Sequence, residues 1–430
     1  MNADVALIEL HRLLDPERPP PSGLWLAPPE SAVPRVIEAL ELDGATREKF
    51  ILVGALGCGK SSELRAVAEA VRAEGRDVVL VDLDVSGVDV SSVSAFDLLY
   101  LTAAGVLRSA PEADQERCFK ELARAYAPAG AGDGVGGAAE VLGAFASAAS
   151  TAGESVAAAA GAGGVGKAAG AMLTLAAASI RLMKQDGLVQ SASPRGRALQ
   201  AVADDIAATV RASGRPLPLL VVDGLEKMNG QSVERYHQVF QYTRLLADAP
   251  WPMVVSAPPV SMTEVSAEYG FEPLPLYGFG TDAAGQEQLL QALELRFAKA
   301  EVAVDVSTRE ALTAIVAASG GFPRHAVRMT RSAVRAARRA GRTGVVRADA
   351  EEAQRLLAEE LARALNAESL AVLRFVADRG VLPGADAVAA ALFAHGRLLA
   401  LRPARGARRP RFIVHPLLAD DVAAWTATSG

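Results

Sequence analysis

The sequence predicts an α/β chain in which a parallel sheet with helices on both faces is followed by a helical region and a small C-terminal domain. Up to residue 280, short apolar runs alternate with helix-forming segments, as parallel strands joined by crossover helices require. Between residues 281 and 365 the pattern is helical only, and residues 366–430 combine two short helices with two apolar runs. The predicted strands of the sheet are 50–53, 77–84, 217–223, 251–256 and 271–279.

Length and composition exclude several classes of protein. The chain has 430 residues, enough for two or three domains, and with half of them hydrophobic the bulk is globular rather than disordered. A net charge of −6 argues against a protein that coats nucleic acid over its whole surface, although a local basic patch is compatible with it. Two cysteines and an N-terminus without a secretory pattern predict a reducing, cytoplasmic setting.

The stretch Gly54–Ser61 fits the phosphate-binding pattern G-x-x-x-x-G-K-[ST] and lies between an apolar run and a helical pattern. We expect its backbone N–H groups and the following helix N-terminus to surround phosphate oxygens. Lys60 would reach the β- and γ-phosphates, and the Ser61 hydroxyl would bind Mg²⁺. An ordinary glycine-rich turn is the alternative. The residues predicted here to bind nucleotide are Gly54, Gly57, Cys58, Gly59, Lys60, Ser61 and Ser62.

An acidic residue follows a second apolar strand, at the place where a phosphate-binding loop needs one. Asp223 ends the run 217–223, and we expect it to hold Mg²⁺ directly or through water. Glu226 is the candidate for polarising an attacking water, which makes Lys60, Asp223 and Glu226 the predicted catalytic residues. A strand that merely ends in an acidic turn is the alternative. Ser256, at the end of the next strand, is a candidate γ-phosphate contact.

Two further segments flank or interrupt the predicted core at residues 43–280. Residues 1–42 hold a short helix, a proline-rich linker and Trp25, which would stack on a base or act as a core anchor. The insertion at about 109–195 is rich in Ala and Gly and admits three interpretations: a low-complexity excursion, a helical hairpin, or a membrane segment over 156–180. Lys167 argues against a membrane span, because a charge in mid-segment is costly.

Residues 281–365 predict a small helical lid of four helices. Ser307, with Glu310 three residues later, predicts a capping box at the start of the second helix. Arginines at three- and four-residue spacing form one face of the third helix, which we interpret as a solvated face that pairs with glutamates of the fourth helix. These arginines are Arg328, Arg331, Arg335, Arg338 and Arg342.

Residues 366–430 predict a winged-helix domain, since two helices precede a β-hairpin. The hairpin tip spans Arg402–Arg411 and is rich in arginine, which suits phosphate contacts with DNA or RNA. His415 follows the second strand of the hairpin and is a candidate nucleotide sensor, with a structural histidine as the alternative.

These motifs resemble those of P-loop ATPases of the AAA+ and STAND groups, the latter including the NACHT and NB-ARC proteins. Gly321-Phe322-Pro323 is similar to the G-x-P motif of STAND lids, whose proline lies against the adenine. Arg324 occupies the place of the second-sensor arginine of origin-recognition-type AAA+ lids. The segment Asp223–Glu226 is similar to the second motif of NACHT proteins. His415 is similar to the histidine of the M-H-D segment that touches the β-phosphate of ADP, although Pro416 replaces its Asp.

The resemblance implies an ATP- or ADP-binding, Mg²⁺-dependent ATPase with slow turnover that acts as a conformational switch in bacterial defence or signalling. One alternative is a DNA-associated AAA+ ATPase that uses its arginine-rich wing, and another is a nucleotide-gated membrane module. No arginine lies between Ser256 and Phe279, so the usual arginine finger is missing, and Arg235 or Arg244 could act in trans in a homo-oligomer. The input or output of such a switch would belong either to a partner protein, encoded by a neighbouring gene, or to the Ala/Gly-rich insertion.

Overall fold

The computed structural model describes residues 3–18, 20–21, 23–42, 48–83, 93–126, 193–225, 244–257, 270–363, 365–384, 387–403 and 410–425. In this part of the chain five parallel strands form the central sheet, in the order β2-β3-β4-β1-β5. The strands are β1 Lys49–Val53, β2 Val78–Asp82, β3 Leu219–Asp223, β4 Met253–Ala257 and β5 Glu272–Pro275. All five predicted strands are confirmed, although the last one ends at Pro275 and not at residue 279.

Helices cover both faces of the sheet, as the sequence predicts. The helices of the core are α1 Ala3–Leu13, α2 Val33–Leu42, α3 Lys60–Ala73, α4 Ala95–Leu107, α5 Glu112–Tyr126, α6 Ser193–Ala212 and α7 Arg244–Ala247. Because alternate residues of a strand point to opposite faces, Phe50 and Leu52 belong to the hydrophobic cluster that includes α1, α2, α3 and the lid, whereas Ile51 and Val53 belong to the cluster that includes α4, α5 and α6. All four side chains are buried, which explains why this strand reads as a continuous apolar run.

Four helices form the lid: α8 Ala283–Lys299, α9 Val306–Ala318, α10 Pro323–Arg339 and α11 Arg347–Ala362. The prediction that Ser307 caps α9 is wrong. The N-cap is Asp305, whose side chain accepts a hydrogen bond from the Thr308 N–H at 2.8 Å. A carboxylate two residues earlier therefore competes successfully with the serine for the first free N–H groups of the helix.

The predicted winged-helix domain is confirmed in the described residues. Its elements are α12 Ala367–Arg379, α13 Ala387–Ala394, the antiparallel strands β6 Leu398–Leu401 and β7 Arg411–Val414, a 3₁₀ turn Pro416–Leu418 and α14 Ala419–Ala424. Leu398, Leu399 and Leu418 are buried in the same hydrophobic cluster as the lid. The domain therefore packs directly on the lid.

Helix α1 packs on lid helices α8 and α10, and it changes the interpretation of the arginine face. Arg328 pairs with Glu360, as predicted, but Arg338 donates to Asp4 at 2.6 Å and Arg335 to His11 at 2.7 Å. The prediction that this face pairs with glutamates of the next helix is therefore wrong for Arg331, Arg335 and Arg338, which contact the N-terminal segment. The reason is that buried side chains of α1 hold its polar residues against α10, a contact between segments about 320 residues apart.

The Ala/Gly-rich insertion lies largely outside the described residues, since residues 127–192 are not described. The three interpretations of it remain predictions. Among the helices that the structure does describe, none combines the length and the apolar composition needed to cross a bilayer.

Candidate nucleotide-binding site

The phosphate loop joins β1 to α3 and has the backbone shape that its glycines allow. Gly57 has a φ of 89° and Gly59 a φ of 110°, values that only glycine adopts without strain. Gly59 is the N-cap of α3, which begins at Lys60, so Ser61 and Ser62 lie in the first turn. The N–H groups at the start of that turn have no partner within the helix, which is the arrangement that suits an anion.

Lys60 is held by its own loop. Its Nζ donates to the carbonyl oxygens of Gly54 at 2.8 Å and Ala55 at 3.0 Å, and the residue is only 3% exposed. These are neutral acceptors, and a phosphate oxygen is a stronger one because it carries charge. The Lys60 ammonium group is therefore held at the loop by neutral acceptors, which a phosphate oxygen would replace.

A cleft open to solvent lies between the phosphate loop, the lid and the segment ahead of β1. Residues 56–63 form its floor, Leu289 and Leu293 one wall, and Trp25 part of another. The predicted residues that line it together are Gly57, Cys58, Gly59, Lys60, Ser61, Ser62, Pro323 and Arg324. Gly54 lies at its base, where its carbonyl binds Lys60.

The lid lies directly on the phosphate loop. The Arg324 N–H donates to the Gly57 carbonyl at 3.2 Å, and a Cβ at position 57 would come within 2.5 Å of the Arg324 Cβ. Gly57 is thus required by the approach of the lid as well as by its own φ. The Arg324 side chain is largely buried and forms an ion pair with Glu17 at the cleft. Arg324, the predicted second-sensor arginine, therefore lies at the phosphate loop.

Asp223 and Ser256 lie together at the carboxyl edge of the sheet. The Gly224 N–H donates to Asp223 Oδ1 at 2.9 Å and to Ser256 Oγ at 3.1 Å. Ser256 lies opposite Leu52 of β1, so one strand separates Asp223 from the strand that carries the phosphate loop. Neither Asp223 nor Ser256 is among the described residues that line the cleft. Asp82 of β2, which sequence reasoning missed, lies opposite Asp223 on the same edge.

Glu226 lies outside the described residues, so its role as the residue that polarises water remains a prediction. Ser61 and Asp223 supply the oxygen atoms that Mg²⁺ prefers, and Ser61 lies in the cleft. In the part of the chain that the structure describes, no three His, Cys, Asp or Glu side chains cluster as metal ligands. Mg²⁺ takes one or two protein ligands and completes its shell with phosphates and water, and its binding by Ser61 and Asp223 remains a prediction.

Glu63, one turn into α3, is a site residue that sequence reasoning missed. It is fully buried, and its Oε1 accepts from the Ser31 hydroxyl at 2.6 Å and the Ala32 N–H at 2.5 Å. Burial raises the pKa of this carboxyl. Glu63 thereby ties the phosphate-loop helix to the segment that carries Trp25. Only its position three residues after Lys60 could have indicated it, because its partners lie about 30 residues away in sequence.

His415 is buried at the contact between lid and winged helix, away from the residues that line the cleft. Its Nδ1 accepts from the Leu417 N–H at 3.2 Å, so Nε2 carries the proton and donates to His325 Nδ1 at 2.9 Å. Burial lowers the pKa of His415 to about 3, and burial, followed by His415, lowers that of His325. A hydrogen bond between two neutral histidines therefore joins the winged helix to the lid. The lid histidine, His325, directly follows Arg324.

The arginine-rich wing is described only at its base. Arg402 forms an ion pair with Glu30 at 2.7 Å, a contact between the wing and the segment ahead of β1. Residues 404–409 lie outside the described part, so a nucleic-acid contact by Arg405, Arg408 and Arg409 remains a prediction. The helix before the hairpin, α13, consists of Ala, Val, Leu and Phe only. It has no side-chain group that could hydrogen-bond to a base edge.

No protein-family model and no curated protein matches the sequence. Three solved structures are similar to nearly the whole chain. Drosophila ORC bound to DNA is 13% identical, covering 97% of this chain and 90% of its own, with a TM-score of 0.40. The Aeropyrum pernix ORC2 protein in its ADPNP–ADP complexes is 16% identical, with coverages of 96% and 95% and a TM-score of 0.40. Cdc6p from Pyrobaculum aerophilum is 13% identical, with coverages of 96% and 96% and a TM-score of 0.39.

Proposed function

We propose that this protein is an ATP-binding, Mg²⁺-dependent P-loop ATPase of the STAND/AAA+ type with slow turnover, and that it works as a nucleotide-driven switch. The observation that carries the proposal is the position of Lys60. It lies on a loop whose free N–H groups suit an anion, at the floor of a cleft that Pro323 and Arg324 line from the lid side.

The chemistry follows from the charges that surround the phosphates. Lys60 would leave the carbonyls of Gly54 and Ala55 for the β- and γ-phosphates, and the N–H groups of Ser61 and Ser62 would bind phosphate oxygens. Mg²⁺, held by Ser61 and Asp223, would neutralise charge that develops on the phosphates. Glu226 would orient the attacking water. With the usual arginine finger missing, turnover is expected to be slow.

The switch would begin at Arg324. A γ-phosphate offers this arginine a stronger partner than Glu17, whose side chain is 67% exposed and therefore bound weakly. Movement of Arg324 would shift the start of α10, and with it His325 and the winged helix that His415 attaches. Loss of the γ-phosphate would reverse the movement. The input or output partner, in defence or signalling, would contact the moving winged helix.

Binding of Mg²⁺-ATP to the full chain tests this proposal. Wild-type protein is expected to bind ATP and ADP by calorimetry, and Lys60→Ala to bind neither with comparable affinity. The matched control is Lys299→Ala, which replaces an exposed lysine at the C-terminal end of lid helix α8. This variant should bind as wild type does. If the wild-type protein bound no nucleoside triphosphate, the proposal would be wrong.

A DNA-associated ATPase is the second candidate, favoured by the hairpin that carries Arg402 and Arg411 beside α12. Since α13 has no polar side chain, such binding would rest on phosphates and be independent of sequence. Replacing Arg405, Arg408 and Arg409 together by Ala should weaken DNA binding and make it less dependent on salt. Absence of binding at low salt would eliminate this candidate.

A further inference from the structure

Arg296 is a buried cation on α8 that has no carboxylate partner among the described residues. It is 8% exposed, its Nη1 donates to the Ala292 carbonyl at 2.5 Å, and its Nε meets no acceptor. Burial alone lowers the pKa of the guanidinium to about 10. A buried charge with a free N–H group lowers the stability of the fold, because it has lost its hydration without gaining a partner. A ligand that supplied an acceptor would offset that loss.

The position of Arg296 identifies the part of a ligand that it would meet. It lines the cleft on the same face of α8 as Leu289 and Leu293. The start of α8 lies near the phosphate loop, because the Phe279 N–H donates to the Gly321 carbonyl, just before Pro323. From Leu289 to Arg296 the helix rises about 10 Å. With the phosphates at the loop, the part of the cleft beside Arg296 is left for the base of a bound nucleotide.

We propose that Arg296 reads the nucleobase, by donating N–H hydrogen bonds to acceptor atoms on the edge of a purine. This inference rests on the proposed function, since it requires the phosphates to lie at the loop. Nη1 is bonded to its own helix and Nε is buried without an acceptor, so the guanidinium would turn its Nε side towards the cleft that it lines when a base binds. Two parallel donors match O6 and N7 of guanine, and one of them matches N7 of adenine. Leu289 and Leu293 supply an apolar wall for the ring. A pyrimidine has no N7 and is bound less tightly.

A comparison of ligands with and without a base tests the inference. Equilibrium binding of Mg²⁺-ATP, GTP, UTP and inorganic tripolyphosphate is measured for wild type, Arg296→Met and Arg296→Lys. Arg296→Met should weaken ATP and GTP about tenfold or more and leave tripolyphosphate unchanged, since only the base contact is lost. Arg296→Lys, which lacks the planar fork, should lose most of the same affinity. Without nucleotide, Arg296→Met should unfold at the same temperature as wild type or higher, because it removes an unpaired charge.

Each other outcome overturns a defined part of the account. Unchanged ATP affinity in Arg296→Met, or UTP binding as tight as ATP binding, would overturn this inference and leave the proposed function intact. An equal loss of ATP and tripolyphosphate would assign Arg296 to the phosphates and overturn the inference as well. Failure of wild-type protein to bind either ATP or tripolyphosphate would overturn the proposed function, and the inference with it.

Discussion

The carboxyl group of Glu63 connects two parts of the candidate site that are far apart in sequence. Its Oε1 carries two hydrogen bonds to the segment ahead of β1, while Oε2 is buried without a partner among the described residues. The folded state therefore holds this group at a raised pKa, because burial disfavours the charged form. A raised pKa means that the stability of the folded state decreases as pH rises above the value of about 4.5 for an unfolded chain.

Glu63→Gln keeps the acceptor oxygen and removes the charge. We expect its unfolding free energy to exceed that of wild type at pH 8, with a smaller difference at pH 5. Glu63→Ala should lose about 1–3 kcal/mol at both pH values, because Ser31 and Ala32 lose their acceptor. Denaturant unfolding at the two pH values measures this. A difference between Gln and Glu that did not grow with pH would show that the carboxyl is not buried as described.

The histidine pair has the opposite sign of pH dependence. Both residues are buried and neutral, with pKa values lowered below 6.5, so their contribution to stability is present above pH 6.5 and lost as pH falls towards the folded-state pKa of about 3 for His415. Each histidine should remove about 1.4 kcal/mol of unfolding free energy per pH unit below 6.5. His415→Gln retains an acceptor for Leu417 and a donor for His325, and should show a shallower loss between pH 6.5 and 5. Identical pH profiles would contradict the buried pair.

At the scale of elements, α1 is attached to the lid by apolar packing rather than by its ion pairs. Leu10 is fully buried, whereas the Asp4–Arg338 pair is half exposed. We expect Leu10→Ala to lower the unfolding free energy by about 2–5 kcal/mol, and Asp4→Ala by less than about 1 kcal/mol. Chemical denaturation of both variants tests this. A larger effect for Asp4→Ala would mean that charge positions the helix.

The elements also show what the sequence could predict. The strands of the sheet and the phosphate loop were predictable, because their patterns are contiguous and each residue's role follows from its neighbours. The contact of Glu63 with Ser31, and that of α1 with the lid arginines, join residues about 30 and 330 positions apart, and nothing local indicates them. The capping residue of α9 was misplaced because two local candidates competed, and only the folded backbone decides between them.

For the whole molecule, side-chain contacts connect the N-terminal segment, the lid and the winged helix, and three of them illustrate this. Glu17 meets Arg324, Glu30 meets Arg402, and His325 meets His415. The lid and the winged helix also share one hydrophobic cluster with one face of the sheet. A change at the phosphate loop would therefore reach the lid through Arg324 and the winged helix through the neighbouring His325. The arginine-rich wing is predicted to be a surface for nucleic acid. One of its arginines, Arg402, already forms an ion pair within the fold, with Glu30.

Phosphate release from ATP tests most directly whether the loop Gly54–Ser61, with its Lys60, binds ATP and supports its hydrolysis. With Mg²⁺ and excess ATP, purified full chain should release phosphate slowly, and Lys60→Ala should reduce the rate to background while Lys299→Ala leaves it unchanged. Removal of Mg²⁺ should have the same effect as Lys60→Ala. Phosphate release that was equal in wild type and folded Lys60→Ala, or no release by the wild-type protein under any nucleotide, would contradict the account.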